Sequence, residues 1–341
     1  MTGSRAGNMR LAPVMGRKRR SLVLACGSLA LGLFTAGCTT PPPAVAPVPS
    51  RSAPAPVTSP SEPAAGSSSG GPAAGVRTPR GLDHIVIIVE ENKPSQLIID
   101  NSDAPYINTL AADNALAVNY QAVTHPSLPN YLALTSGTNA GITDDCSPGG
   151  NCTANVPNIV ERIGESGRSW KMYAEDMPAP CTAKNSGKYA VKHNPFMYYP
   201  GVTGDKASCA AHVVALTQLG EDLKGASSLP DYAFISPNMC NDMHDCPVTT
   251  GDEWLSRQVS AILASPAFTT QNSLLVVTWD EGDDSSNKVP TIFAGPAAKK
   301  GFRSDAAFSH YSVLHTVESQ WGLAPLTDND KKAPVMSDML K

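Results

Sequence analysis

The chain has 341 residues and a formal net charge of −4, and that total includes six basic and no acidic residues before Cys38. The part that follows is therefore more acidic still, and it lacks the basic face that a nucleic-acid partner requires. A phosphorylated substrate remains compatible, because a bound metal ion reverses the local sign of charge.

The N-terminal region predicts an export signal of the lipoprotein type over residues 1–37. A basic stretch at residues 17–20 precedes an apolar segment that ends in small residues before Cys38. We predict that Cys38 is lipidated and holds the protein on the extracytoplasmic face of the cell membrane. Simple secretion is the alternative, because Thr35 occupies a position that usually carries Leu in such signals.

The remaining chain divides by composition into a linker and one domain. Residues 38–80 are rich in Pro, Ala and Ser, and such a segment buries too little apolar surface to offset its ordering entropy. We predict a disordered linker there. Residues 81–341 are long enough for a single domain, which the motifs below indicate is catalytic.

Strands and helices are predicted to alternate along this domain. Strands are expected at residues 85–89, 117–123, 170–174, 232–235, 274–279 and 291–294, and helices at 104–114, 128–135, 156–165, 252–263 and 310–321. This alternation predicts an α/β fold, with a mostly parallel central sheet and helices on both faces. Functional sites in such sheets lie beyond the carboxyl ends of the strands.

Two of the predicted strands end in oxygen-bearing side chains. The first is followed by Glu90, Glu91 and Asn92, and the fifth by Asp280 and Glu281. Carboxylate and amide oxygens suit a divalent cation, although only part of the first trio can face inward. We predict that Asp280 and Glu281 bind a metal ion, and that the Asp283 and Asp284 carboxylates beyond them face solvent.

Ser127 opens a predicted helix in the segment THPSLPNYLALTSG, residues 124–137. A serine there is ordinarily a helix cap, but a helix N-terminus also attracts phosphate, which would place a nucleophilic hydroxyl beside the phosphorus. Asn130, about one turn further on, is predicted to donate its amide to a phosphoryl oxygen. His125 is compatible either with packing or with proton donation.

Two other histidines have polar sequence neighbours. His244 lies between Asp242 and Asp245, and His310 begins the last predicted helix. The other histidines of the domain are assigned to structure or receive no role: His84, His193, His212 and His315.

Six cysteines remain beyond Cys38, and an even number in an exported protein predicts disulfides. Short loops favour Cys146 with Cys152 and Cys240 with Cys246, which leaves Cys181 with Cys209. A zinc site is the competing interpretation, but the six cysteines contain no C-x-x-C pair.

Several motifs together resemble the bacterial phosphoesterase family of acid phosphatases and phospholipases C, which has an alkaline-phosphatase-like fold. The resemblance runs from about residue 84 to 323 and rests on HIVIIVEEN, APYINTLA, THPSLPNYLALTSG, NDMHD, GDEWL, LLVVTWDEGD, VPTIFAG and SHYSVLHTVE. The subgroup that it most resembles contains secreted acid phosphatases and a phosphatidylinositol 3-phosphate phosphatase.

The resemblance implies a role for each candidate residue. Glu91, Asn92, Asp280 and Glu281 would bind a divalent metal ion of unidentified kind, and Ser127 would form a phosphoserine that water cleaves. His244 and His310 would contact the phosphoryl group or protonate the leaving alcohol, with Asn130 and Asp242 on the substrate side. If either histidine must be protonated, an acidic pH optimum follows, because imidazole titrates near pH 6.5.

The implied activity is the hydrolysis of phosphate monoesters, either small phosphorylated molecules or a phosphoinositide. Phospholipase C members usually carry Thr at the nucleophile and Arg at the position of Tyr131. These differences favour monoesters here. The alternatives are a phospholipase C-type phosphodiesterase and a non-catalytic binding lipoprotein with the same fold.

Overall fold

A computed structural model describes residues 81–341 of the chain. The predicted signal, the predicted lipidation site Cys38 and the predicted linker all lie outside this range. The strands are β1 (His84–Glu90), β2 (Ala115–Ala117), β3 (Tyr120–Gln121), β4 (Trp170–Ala174), β5 (Val213–Ala215), β6 (Tyr232–Ser236), β7 (Ser273–Trp279), β8 (Thr291–Ala294), β9 (Phe302–Ser304) and β10 (Phe308–Ser309).

Eight strands form a central sheet in the order β5-β4-β6-β1-β7-β8-β2-β9. Neighbouring strands are parallel except that β8 runs antiparallel to both β7 and β2. Every residue of β1 and β7 is buried, which is typical of parallel strands covered on both faces. The predicted mostly parallel α/β fold is confirmed.

Eleven helices surround the sheet within residues 81–341. They are α1 (Ser95–Ile98), α2 (Pro105–Asp113), α3 (Ser127–Ser136), α4 (Ile159–Glu165), α5 (Pro200–Thr203), α6 (Lys206–His212), α7 (Leu219–Asp222), α8 (Val248–Leu263), α9 (Pro266–Thr270), α10 (His310–Trp321) and α11 (Asp328–Lys332). Helices α2, α8 and α9 form one packed group, and α3, α4, α10 and α11 form another. Short 3-10 helices cover Val191–His193, Pro195–Tyr198, Leu216–Gln218 and Ser337–Met339.

One predicted strand, residues 117–123, is wrong as a single element. Its first residue belongs to β2 in the central sheet, while β3 pairs with β10 in a separate two-stranded sheet. The chain leaves the central sheet between them because its last residues connect to α3. The region between β4 and β6 also contains β5 and three short helices that the sequence patterns did not predict.

Three disulfides join the six cysteines of the described domain. The pairs are Cys146–Cys152, Cys181–Cys209 and Cys240–Cys246. The pairing favoured by the short loops is therefore confirmed. Across residues 81–341, every helix is too short or too polar to cross a bilayer.

Helix α3 is held at its C-terminal end by the segment that contains α11. Gly137 ends the helix with a φ of 71°, and a β-carbon there would lie 2.3 Å from Asp330 Oδ1. Thr327 Oγ1 and Asn329 Nδ2 donate to the Gly137 carbonyl at 3.0 and 2.9 Å. The glycine is needed for both its conformation and the close approach.

The same segment packs against α10 through two carboxyl groups. Glu318 is fully buried, and Glu318 Oε1 and Asp330 Oδ2 both accept from the Leu326 amide, at 3.1 and 2.7 Å. Burial and the neighbouring Asp330 raise the pKa of Glu318 to about 9. The folded protein therefore keeps a proton on this group that the unfolded chain has released at neutral pH.

The Glu318→Gln variant is expected to lose part of the pH dependence of stability. Between the ordinary glutamate pKa and about 9, the folded state binds one proton more, so wild-type stability falls as pH rises through that window. Thermal melting at several pH values should show that the melting temperature of the variant, relative to that of wild type, rises towards alkaline pH. The exposed Glu165→Gln is the control, and a constant difference between Glu318→Gln and wild type at all pH values would contradict this expectation.

Candidate active site

The carboxyl ends of four parallel strands meet at one edge of the central sheet. Strand β1 lies between β6 and β7, and β4 lies on the far side of β6. Open α/β sheets bind ligands beyond the carboxyl ends of their strands. Both predicted acidic clusters lie here, one after β1 and one after β7.

Ser127 lies at this edge as the first residue of α3, with its side chain almost fully buried. Its hydroxyl donates to Glu91 Oε2 at 3.0 Å, and Glu281 Oε1 lies 3.5 Å from the same oxygen. The N-cap residue of α3 is Pro126, and the hydrogen bonds of the Ser127 hydroxyl go to carboxylates of other elements. The structure thus brings the predicted nucleophile together with two predicted metal ligands.

Asn92 connects the two acidic strand ends. Its backbone N–H donates to Asp280 Oδ1 at 3.1 Å, and its φ of 45° is one that asparagine tolerates better than most residues. One end of its side-chain amide faces Glu91 Oε2 at 2.9 Å and Asp280 Oδ1 at 3.2 Å. In one orientation of the amide, its nitrogen donates hydrogen bonds to both carboxylates. In the other orientation, its oxygen lies beside the two carboxylates as a third oxygen that could bind a metal ion.

Asp280 is the most isolated carboxylate of the group. It is buried, and its Oδ2 has no hydrogen-bond partner within residues 81–341. Burial raises its pKa well above the ordinary range, and the charges of Glu91 and Glu281 add to that effect. An unpaired buried carboxylate with carboxylate neighbours fits a divalent cation, which would supply the missing positive charge.

The oxygen atoms that could bind a metal ion come from several kinds of side chain. In the described domain no three His, Cys, Asp or Glu side chains form a metal cage by themselves. The arrangement depends on the Asn92 amide and the Ser127 hydroxyl as further oxygen donors. That composition favours a hard, oxygen-preferring ion over zinc held by His and Cys.

His193 is a central residue of the site that sequence reasoning missed. It is buried, with Nε2 3.1 Å from Glu91 Oε1 and Nδ1 3.4 Å from Asp242 Oδ2. Burial works to lower the pKa of His193, but the two carboxylates outweigh it and raise that pKa to about 9. The ring also stacks on Tyr131, whose hydroxyl donates to Glu91 Oε1 at 2.5 Å.

The pKa of Glu91 is shifted in the opposite direction to the pKa of Asp280. Burial works to raise the pKa of Glu91, but His193 and the Tyr131 hydroxyl lower it overall. Glu91 is therefore held ionised. A polar Lys-His-Asn triplet inside the otherwise apolar run YAVKHNPFMYY was the sequence signal for His193.

His125 lies at the mouth of the site and does not pack into the core. Its side chain is 49% exposed, and Nδ1 lies 2.5 Å from Glu281 Oε2. Burial raises the pKa of Glu281 to about 7, although His125 partly offsets the shift. Of its two predicted roles, this exposed position favours proton donation.

His310 is not available for the role that the resemblance implied. It is fully buried, with Nε2 2.6 Å from the Asp280 carbonyl oxygen and Nδ1 2.9 Å from the Tyr120 hydroxyl. The carbonyl only accepts, so Nε2 donates and Nδ1 accepts from Tyr120. Burial lowers the pKa of His310 to about 4, and the ring is neutral at mildly acidic pH. Its role is to hold the backbone of Asp280.

The two predicted substrate-side residues are likewise engaged within the protein. The Asn130 amide donates to the carbonyls of Thr124 and Pro126, and its oxygen accepts two backbone N–H groups. Asp242 is buried, with Oδ1 accepting from the His244 amide. Both residues position neighbouring groups of the site.

His244 contacts a neighbouring carboxylate and the ring of His193 rather than Ser127. Its Nδ1 pairs with Asp245 at 2.7 Å, and its ring centre is 6.4 Å from that of His193.

Glu90 lies in a second cluster of acidic side chains, together with Asp242 and Glu175, next to the cluster around Glu91. Its two carboxylate oxygens are buried without hydrogen-bond partners in the described domain. Burial, with the charges of Asp242 and Glu175, raises the pKa of Glu90 well above its ordinary range. Glu175 itself accepts from Trp254 Nε1 at 3.0 Å, so the GDEWL motif supports this cluster from α8.

Comparison with known proteins identifies the family of the chain. The model of the Phosphoesterase family matches residues 97–324. The chain is 41% identical to a phosphatidylinositol-3-phosphatase of Mycobacterium tuberculosis, over 75% of this chain and 82% of the relative. It is 35% identical to a phosphate-repressible acid phosphatase of Penicillium chrysogenum over 64% of this chain, and it spans 55% of that fungal protein.

The fold is also found among solved structures. A protein of the alkaline phosphatase superfamily from Vibrio parahaemolyticus superimposes with a TM-score of 0.54 at 10% identity, over 75% of this chain and 71% of that one. At this identity the likeness concerns the fold alone. The predicted alkaline-phosphatase-like architecture is confirmed.

Proposed function

Since this chain belongs to the phosphoesterase family, we propose that it is an acid phosphatase that hydrolyses phosphate monoesters with Ser127 as its nucleophile. One observation carries the proposal. The Ser127 hydroxyl lies at the N-terminus of α3 with its oxygen 3.0 Å from Glu91 Oε2, at the edge where β1 and β7 end. A phosphoryl group bound there would meet both the nucleophile and the helix N-terminus.

The reaction has two displacements at phosphorus. In the first, the Ser127 oxygen bonds to phosphorus, the bond to the leaving alcohol breaks, and the serine proton passes to the carboxylates beside it. Water then attacks the phosphoserine and gives one proton to the side chain that protonated the alcohol. The serine–phosphorus bond breaks, phosphate is released, and the carboxylates return their proton to the Ser127 oxygen. His125, exposed and paired with Glu281, is the side chain that we propose protonates the leaving alcohol.

The proposed cofactor is a divalent metal ion held by Glu91, Asn92, Asp280 and Glu281. When bound, it would favour ionisation of the serine hydroxyl and neutralise charge on the phosphoryl oxygens. The unpartnered Asp280 Oδ2 and the mutual repulsion of the buried carboxylates support this assignment. His193 and Tyr131 orient Glu91, and His310 orients Asp280.

We further propose phosphatidylinositol 3-phosphate as a candidate substrate, from the similarity to the mycobacterial phosphatase. Export is supported by the three disulfides, which persist in oxidising compartments. Lipidation of Cys38 would place the domain beside a membrane, where a phosphorylated lipid is accessible.

Hydrolysis of p-nitrophenyl phosphate by residues 81–341, between about pH 5 and 8, tests the proposed activity. We expect turnover that a chelator abolishes and that an added divalent metal restores. Full turnover in chelator, after exhaustive removal of metal, would exclude the metal-assisted mechanism. Absence of turnover from folded protein with every divalent metal tried would exclude the phosphatase.

The same preparation distinguishes monoesters from diesters and lipids from small molecules. We expect phosphate release from phosphatidylinositol 3-phosphate vesicles, and slower cleavage of bis-p-nitrophenyl phosphate than of the monoester. Faster cleavage of the diester would instead assign the protein to the phospholipase C type.

A further inference from the structure

Lys192 is a cation beside the active site, and it has no role in the two displacements proposed above. It lies in the 3-10 helix Val191–His193, next to the histidine that contacts Glu91. Its side chain is 19% exposed, and its ammonium nitrogen is 2.9 Å from Asp145 Oδ2. An ammonium group has three N–H donors, so this contact leaves two for another acceptor.

Asp145 ties Lys192 to the start of helix α3. The other carboxylate oxygen of Asp145 accepts from the Leu128 amide at 2.9 Å, and Leu128 directly follows Ser127. Asp145 is in turn followed by the Cys146–Cys152 disulfide, which constrains its loop. A single carboxylate thus connects the lysine to the residue beside the proposed nucleophile.

Lys192 carries a fixed positive charge. Burial works to lower its pKa, but the hydrogen bond to Asp145 and the charges of Glu91 and Asp280 raise it overall. The lysine is therefore always charged under assay conditions. In a site that is otherwise rich in carboxylates, this fixed cation attracts an anionic substrate.

We propose that Lys192 binds a non-bridging oxygen of the phosphoryl group and selects phosphate monoesters over diesters. The inference rests on the proposed phosphatase activity. A monoester presents three terminal oxygens and is largely dianionic near neutral pH, whereas a diester carries an ester oxygen in place of one of them. The attraction of a fixed lysine increases with the charge on the phosphoryl group, which is more negative for the monoester than for the diester.

The test compares Lys192→Met with wild-type protein on two substrates of the same leaving group, p-nitrophenyl phosphate and methyl p-nitrophenyl phosphate. We expect kcat/KM for the monoester to fall by about 10²-fold, and kcat/KM for the diester by less than about threefold. Inhibition by inorganic phosphate should weaken in parallel. Lys192→Arg, which keeps the charge, should recover part of the monoester activity.

Lys188→Met is the matched control, because Lys188 is exposed and lies four residues earlier on the same segment. Equal losses on both substrates, or no loss on either, would overturn the assignment of Lys192 as the selecting residue. A wild type that cleaves no monoester would instead overturn the proposed function. In that case calorimetric titration with inorganic phosphate still tests Lys192, and equal affinity of wild type and Lys192→Met would overturn its role.

Discussion

The Ser127→Ala variant is expected to lose phosphatase turnover by at least about 10⁴-fold in kcat while it stays folded. The hydroxyl is the proposed attacking group, and its oxygen is 3.0 Å from Glu91 Oε2. Alanine removes the nucleophile, while Glu91 keeps its contacts with the Tyr131 hydroxyl and with His193. Steady-state kinetics and thermal melting on the same preparation measure the two quantities.

Ser136→Ala is the matched control for this variant. Ser136 is also a buried serine of α3, but its hydroxyl donates to the carbonyls of Leu132 and Thr138 at the other end of the helix. We expect its activity to stay within a few-fold of wild type, with a stability loss of about 1 kcal/mol. Near-wild-type turnover of Ser127→Ala would remove Ser127 from the nucleophilic role.

A direct chemical readout complements the kinetics. Rapid quenching of wild-type protein with a radiolabelled phosphate monoester should trap label on the protein, and Ser127→Ala should trap none. Label found equally on both proteins would show that another residue forms the covalent intermediate.

Asp280→Asn is expected to combine a large loss of activity with a gain in stability of the metal-free protein. The substitution keeps the acceptor of the Asn92 amide but removes one charge from a buried set of carboxylates. Loss of a metal ligand should lower kcat/KM by at least about 10²-fold. Relief of carboxylate repulsion should raise the melting temperature in chelator, by about 2–4 °C for each kcal/mol removed.

The stability gain should depend on pH. Because the pKa of Asp280 is raised in the folded protein, its carboxyl group is protonated under acidic conditions, and the variant then has little repulsion to relieve. The gain is therefore expected on the alkaline side of the raised pKa. Melting curves in chelator across a pH series measure it, and metal content after dialysis measures ligand loss.

Asp283→Asn provides the control, because Asp283 is exposed on the same loop. It should change neither metal content nor activity. Retention of the metal by Asp280→Asn at wild-type affinity would exclude Asp280 as a ligand. A lower melting temperature of Asp280→Asn in chelator would contradict the repulsion argument.

The main elements of the sheet could be read from local patterns, and so could the place where a site would form. The continuous apolar runs of β1 and β7 are long enough to identify strands buried on both faces. Short elements were harder to predict. Strands β2 and β3 have only three and two residues, and they are separate elements because they pair with strands of different sheets.

The roles of the histidines show the limit of sequence reasoning most clearly. His244 and His310 had polar or helix-terminal neighbours in sequence, whereas His193 was assigned no role, although it lies in a polar Lys-His-Asn triplet within an apolar run. In the structure, His193 lies between Glu91 and Asp242, and burial keeps His310 neutral. A histidine's charge depends on its desolvation and on nearby carboxylates, and neither is a property of adjacent residues.

The sequence by itself determined the α/β class, the disulfide-forming cysteines, the acidic strand ends and a serine at the start of a helix. These features depend on periodicity and on residues that are neighbours in the chain. Only the tertiary structure brought Asn92 to Asp280, 188 residues away, and tied Lys192 to α3 through Asp145. Those contacts depend on strand order and loop paths, because side chains far apart in sequence meet only where the sheet aligns its carboxyl ends.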